Sequence, residues 1–141
     1  MISTERRKNG KGGPADDEVK VLLVEDNPGD VGLMRANLED SQSLKSAILS
    51  ADRLQKAVEM VPAVLPDIIL LDLGLPDSSG LDTVEGMIKA AGSIPIIVLT
   101  GYSDENLGME AVRKGAQDYL VKGKVDTATL VASNGSNMPS R

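Results

Sequence analysis

Apolar residues fall along the chain in two alternating rhythms. Short continuous runs, of which Val21-Leu-Leu-Val24 and Ile68-Ile-Leu-Leu71 are the clearest, have the length and composition of strands buried on both faces. Between the runs, apolar residues return every three or four positions: Val31, Met34 and Leu38; Leu54, Val58 and Val61; Leu81, Val84 and Ile88; and, more weakly, Leu107, Ala111 and Val112. That spacing keeps one face of a helix apolar. Five strands are predicted, at about 20–24, 46–50, 67–71, 95–99 and 117–121, joined by four crossover helices. The second is the weakest pattern, because Ser46-Ala-Ile-Leu-Ser50 is short and mixed. Such alternation of strand and helix implies βαβ units and a parallel sheet. Asp30, Ser79 or Gly80, and Ser103 or Asp104 stand where helices need an N-cap. Gly92 and Gly115 stand where helices should end. Residues 19–131 read as one domain, preceded by a polar, Gly-rich leader over 1–18 that is expected to be disordered. After Lys122 the segment Lys124 to Ala132 has room for about two helical turns, and 132–141 read as a polar tail.

Composition narrows the setting. With 141 residues, 41% of them apolar and 26% charged, and a formal net charge of −6, the chain fits one soluble globular domain. It has no cysteine, so no disulfide can staple it, and a reducing cytoplasm suits it. The leader holds no apolar stretch that could act as a signal peptide or cross a membrane. The acidic balance argues against nonspecific nucleic-acid binding, which needs Lys and Arg to neutralise phosphates. Phe and Trp are absent and Tyr occurs only at 102 and 119, which leaves little for a base-stacking surface.

Two of the strand-like runs end in acid. Glu25 and Asp26 follow the first run, and Asp72 follows the third. In an open parallel sheet the ligand crevice lies outside the carboxyl ends of the strands, so three carboxylates are expected to meet there. Such a cluster suits Mg²⁺, a hard cation that takes carboxylate and carbonyl oxygens and keeps several waters. Taken singly, each residue has a plainer role. An Asp after a strand is often a cap or a solvated loop residue, Glu25 alone reads as a surface charge, Lys122 as an ion-pair partner and Thr100 as a turn residue. Their weight comes from occurring together in one structural context.

Four segments carry a more specific signal: Leu22-Leu-Val-Glu-Asp-Asn-Pro-Gly-Asp30, Leu71-Asp-Leu-Gly-Leu-Pro-Asp-Ser-Ser-Gly80, Val98-Leu-Thr-Gly101 and Gly115-Ala-Gln-Asp-Tyr-Leu-Val-Lys-Gly123. In order and spacing they resemble the receiver domain of two-component response regulators, over about residues 19–131, and most of all receivers joined to sensor histidine kinases. The resemblance implies a doubly wound five-stranded parallel sheet of order 2-1-3-4-5, the flavodoxin-like fold. It implies that Asp72 is the phosphoacceptor, taking a phosphoryl group from a phosphohistidine on a sensor histidine kinase or a histidine phosphotransfer protein. Mg²⁺ would be held by Asp26, Asp72 and the backbone carbonyl of Gly74, with Glu25 acting through water. Lys122 would pair with the acidic site and then with a phosphoryl oxygen, Thr100 would donate its hydroxyl to another, and small Gly101 would leave room. Tyr119 reads most simply as a partly buried core aromatic; its family counterpart rotates inward on activation. Pro76 and Gly80 would shape the loop after Asp72.

The chain departs from the family pattern in three ways. Gly123 stands where many receivers have a proline with a cis peptide bond, although kinase-linked receivers often read Lys-Gly. The last helix is curtailed, which puts dimerisation through that surface in doubt and leaves a monomer or weak dimer as the expectation. No output domain is recognised, and the histidine count is zero, so the chain has no phosphohistidine of its own. The resulting expectation is a cytoplasmic switch that catalyses only its own phosphorylation and dephosphorylation and signals to an output protein the sequence does not name. A pseudo-receiver that is never phosphorylated would usually lack the Asp, Thr or Lys, and all three are here. Haloacid-dehalogenase-like phosphatases place an Asp-x-Asp pair after the first strand, whereas Glu25 and Asp26 are adjacent and the candidate nucleophile follows the third. A dinucleotide site would need G-x-G-x-x-G after the first strand, where this chain has Glu-Asp-Asn-Pro-Gly.

Overall fold

Each of the five apolar runs forms a strand, to within one residue of the expected bounds, and each apolar-periodic stretch between them forms a helix. The computed structural model describes residues 18–39, 46–101 and 104–122. The expected leader, the Ser103 cap, Gly123, the curtailed last helix and the tail lie outside them. The element order is β1 (Val19–Val24), α1 (Pro28–Glu39), β2 (Ser46–Ala51), α2 (Leu54–Val64), β3 (Ile68–Asp72), β4 (Gly74–Leu75), β5 (Ser78–Ser79), α3 (Gly80–Ala91), β6 (Ile96–Thr100), α4 (Glu105–Lys114) and β7 (Asp118–Val121). The main sheet runs β2-β1-β3-β6-β7, with every neighbouring pair parallel. This is the doubly wound order expected from the sequence, since β4 and β5 form a separate antiparallel ribbon. The mixed second run pairs with β1 along its whole length, from Val19 opposite Ser46 to Val24 opposite Ala51. At the edge of the sheet it is covered less fully than the central strands: Ala51 is buried in one half of the core and Ile48 packs against the other, while Leu49 stays exposed.

The alternation of side chains along each strand divides the core in two. Leu22, Val24, Ile69, Leu71, Ile96 and Val98 face one side, where they pack with Ala57 and Val61 of α2, Val84 and Met87 of α3, and Ala111 of α4. Val21, Leu23, Ile68, Leu70, Ile97 and Leu99 face the other, against Met34 and Leu38 of α1. Burial on both faces explains why these runs are continuously apolar instead of alternating. Among the described residues, no helix is long and apolar enough to cross a membrane.

The helix ends differ from the sequence expectation at one point that matters for the site. Asp30 is not the cap of α1. Asn27 is: its Oδ1 accepts the backbone N–H of Gly29 at 2.8 Å and of Asp30 at 3.1 Å. Pro28 has its φ fixed and no N–H to satisfy, so it starts the helix at once and carries Asp30 into the first turn with its side chain free for another partner. Ser79 and Asp104 flank α3 and α4 as expected, yet neither makes a side-chain capping bond. Gly92 and Gly115 end the same two helices with φ of 62° and 130°, values that a Cβ would disfavour. Gly80, at φ 62°, turns the ribbon into α3.

One cap comes from another part of the chain. Arg53, before α2, is extended and makes no capping bond. The exposed N–H groups of Leu54 and Gln55 instead donate to the two carboxylate oxygens of Asp77, at 2.8 and 2.9 Å. Asp77 lies in the turn between β4 and β5, so the loop that follows Asp72 is fastened to the start of α2.

Candidate functional site

Parallel pairing brings the carboxyl ends of β1, β3, β6 and β7 to one edge. Val24 is level with Leu71, Asp72 with Leu99, and Thr100 with Val121, so the residues that close these strands stand side by side. One carboxylate oxygen from each of Glu25, Asp26 and Asp72 lies within 4.8 Å of the other two, as the strand-acid pattern predicts. Lys122 reaches into this cluster from the end of β7. Its Nζ lies 2.9 Å from Glu25 Oε1, 3.2 Å from Asp30 Oδ2 and 3.4 Å from Asp72 Oδ2. The backbone N–H of Lys122 donates to Thr100 O at 2.8 Å, which fixes the point from which its side chain departs.

Burial sets the electrostatics. Glu25 is 2% exposed, and removal from water, aided by the neighbouring charge of Asp72, pushes its carboxyl up to about 7 in spite of Lys122. Burial also works against the charge of Lys122, but Glu25 and Asp72 more than reverse it and hold the ammonium above the usual lysine range. Glu25 Oε2 accepts the N–H of Asn27 at 3.3 Å. Glu25 Oε1 is buried without a hydrogen bond; its contact with Lys122 is an ion pair lacking hydrogen-bond angles. A buried carboxylate oxygen with accepting capacity to spare, beside the exposed Asp26 and the part-buried Asp72, is an oxygen-only set open to water. It fits a hard divalent cation such as Mg²⁺.

Beside the cluster is an open cleft of about 340 Å³ whose lining includes Asp72, Gly74, Thr100, Gly101, Asp104 and Lys122. Gly74 faces open space, and its N–H points back to Asp72 Oδ1 at 3.4 Å. Gly80 N–H donates to Leu73 O at 2.9 Å and so closes the loop. Thr100 is buried, and its hydroxyl donates to Leu120 O at a long 3.5 Å, a bond weak enough to exchange for a better one. Tyr119 does not line the cleft. It is half-buried against the α2–α4 side of the core, and its ring, like the Thr100 methyl, abuts Gly108 of α4.

The structure therefore joins Glu25, Asp26, Asp72, Thr100 and Lys122 at one edge, with Gly74 at its rim and Tyr119 one step behind Thr100. Three residues were not singled out in this setting by the sequence: Asp30 as a partner of Lys122, Asp77 as the fastening of the loop, and Gly108 as the seat of the Tyr119 ring. The pair of Asp30 and Lys122 spans 92 positions, beyond any local pattern.

Comparison with known proteins agrees with this geometry. The response regulator receiver domain family matches residues 21–133. The transcriptional regulatory protein YdfI of Bacillus subtilis is 35% identical over 106 residues, 73% of this chain and 47% of that protein. The sensor histidine kinase TmoS of Ectopseudomonas mendocina is 35% identical over 109 residues, 75% of this chain and 11% of that protein. The chain thus spans less than half the length of either relative. Among solved structures, the signal receiver domain of a modulated diguanylate cyclase from Desulfovibrio desulfuricans superposes with a TM-score of 0.70 at 29% identity, covering 88% of this chain and 96% of that one. From its matched sequence, its strand order and the residues at its sheet edge, the chain belongs to the response regulator receiver domain family.

Proposed function

We propose that this receiver domain is a working phosphoacceptor, taking a phosphoryl group onto Asp72 from a phosphohistidine of a sensor histidine kinase or histidine phosphotransfer protein. The observation that carries the proposal is the Lys122 ammonium set between Glu25 and Asp72 at the ends of three strands. A carboxylate oxygen of Asp72 attacks phosphorus while the bond to the donor imidazole nitrogen breaks, and that nitrogen keeps the electron pair. The product is an acyl phosphate. Phosphoryl transfer asks mainly for position and charge, and both are at hand. Lys122, a compact point charge, meets the charge on one phosphoryl oxygen, Thr100 turns its hydroxyl to another, and Gly101 leaves the space. Asp26, Asp72 and the Gly74 carbonyl would hold Mg²⁺, with Glu25 acting through its water shell. When bound, the cation neutralises charge between the nucleophile and the incoming phosphoryl oxygens. The readout surface is α4 and β7, where Thr100 and Tyr119 meet. The reaction belongs in the cytoplasm, where histidine kinases draw on ATP.

The test is incubation with Mg²⁺ and acetyl phosphate followed by intact mass measurement. Wild-type protein is expected to gain one hydroxylamine-labile phosphate, and to gain none when Mg²⁺ is removed with a chelator. Asp72→Asn, nearly isosteric but without the nucleophilic oxygen, is expected to gain none while keeping its fold. An adduct that survives in Asp72→Asn would move the acceptor elsewhere, and a wild-type protein inert to every donor would point to a binding module of the same fold.

A further inference from the structure

Lys122 carries three N–H donors and has three carboxylates around it, from Glu25, Asp30 and Asp72. One of these donors must be given to a phosphoryl oxygen if the proposed reaction is to proceed. The contact with Asp72 is the longest, at 3.4 Å, and it points at the atom group that would become the acyl phosphate. Asp30 differs from its companions. It is outside the Glu25, Asp26 and Asp72 cluster, it accepts a hydrogen bond with proper angles from Lys122 Nζ at 3.2 Å, and its backbone is fixed by the Asn27 cap. It stands in the first turn of α1 and does not line the cleft: it lines a small recess with Glu25, Leu33, Met34, Leu99 and Lys122, whereas Asp72, Thr100 and Gly101 line the cleft itself.

We infer that Asp30 is a positioning residue for the phosphoryl transfer proposed above, tethering the Lys122 ammonium so that it stays beside Asp72 and meets the incoming phosphoryl oxygen. The inference rests on the phosphoacceptor reading and adds a residue to it. A flexible lysine stem held by Glu25 alone would sample other rotamers and lose that aim. The alternative, that Asp30 acts only by adding negative charge, predicts a different pattern, because Asn removes the charge but keeps an oxygen acceptor of the same shape.

Wild-type protein, Asp30→Asn and Asp30→Ala are compared for the initial rate of adduct formation with Mg²⁺ and acetyl phosphate, for Mg²⁺ affinity by NMR titration, and for the protection of the Lys122 ammonium protons from solvent exchange. Asp30→Ala is expected to slow adduct formation by about tenfold and to lose ammonium protection, with Mg²⁺ affinity unchanged; Asp30→Asn is expected to recover the greater part of both rate and protection. Equal effects of Asn and Ala would replace the tether by a charge effect, and an unimpaired Asp30→Ala or a loss of Mg²⁺ affinity in step with the rate would overturn it. If Asp30→Ala does not fold, Asp30→Leu, closer in size, carries the same comparison. A wild-type protein that forms no adduct at all overturns the phosphoacceptor reading, and the tether with it, whereas a normal wild-type adduct with a normal Asp30→Ala rate overturns the tether alone.

Discussion

At Gly108 the absence of a side chain matters to two residues at once: a Cβ there would stand 2.7 Å from two ring atoms of Tyr119 and 3.0 Å from the Thr100 methyl. Alanine gains about 1 kcal/mol of helix propensity but overpacks by about 1–3 kcal/mol, and the crowded atoms are the root of the ring and a buried threonine. Gly108→Ala is therefore expected to lower stability by roughly 1 kcal/mol and the melting midpoint by about 3–5 °C; a raised midpoint would mean the ring yields freely. Thr100 tests the neighbouring link. If the phosphoryl group draws its hydroxyl away from Leu120 O, Tyr119 gains room to move, and a local bond biases the surface beyond it. Thr100→Ala is expected to accept phosphate but to lose most of a coupling of about 1–3 kcal/mol, seen as smaller phosphorylation-dependent NMR shifts over 104–119. Lys122→Ala should impair both acceptance and response. An undiminished response in Thr100→Ala would leave that threonine a turn residue. The acids and the lysine were legible because each ends an apolar run; Gly108 was not, because what it spares is a clash with a residue on another element.

Helix α2 owes its start to a residue outside its own sequence neighbourhood. The amides of Gln55 and Leu54 hold the Asp77 carboxyl below its usual range, so the unfolded chain binds that proton more readily than the folded one. The cap thus stabilises the fold above the ordinary Asp value of about 3.9 and is lost as pH falls through the lower folded value. Asp77→Ala should melt a few degrees lower than wild type, by a margin that is constant from about pH 7 to 5 and shrinks as pH falls below the ordinary Asp value of about 3.9; denaturation at several pH values checks it, and a margin independent of pH would assign the loss to something other than this carboxylate. Sequence reasoning looks for caps next to the helix they serve and so could not see this one. The first cap, expected at Asp30, falls to Asn27, whose place directly before Pro28 is itself a helix-start signal. On α4 sequence reasoning set Val112 inward, yet that residue is 37% exposed and Gly108 and Ala111 take the buried face, since a weak apolar stripe with a glycine in it leaves the rotation of the helix undetermined.

For the molecule as a whole, the two-sided core and the position of the acidic edge were legible in the residues, because continuous apolar runs require helices on both faces and parallel strands end together; the strand order came only with the family resemblance. What joins the edge into a site was less so. Lys122 meets Asp30 and Glu25 only across nearly the whole described chain, with β7 paired to β6 alone. Contacts of such sequence separation carry the largest loop-closure cost, so the site is expected to close after the local helices and neighbouring strands. Ability to take up phosphate should therefore return with the slowest phase of refolding rather than with helix formation, as adduct yield measured against circular dichroism during refolding can show. On the proposed reading, a copy in which β7 has not yet docked has its acids without the Lys122 ammonium that faces them, so an unfinished molecule is expected to stay silent rather than to send a false message.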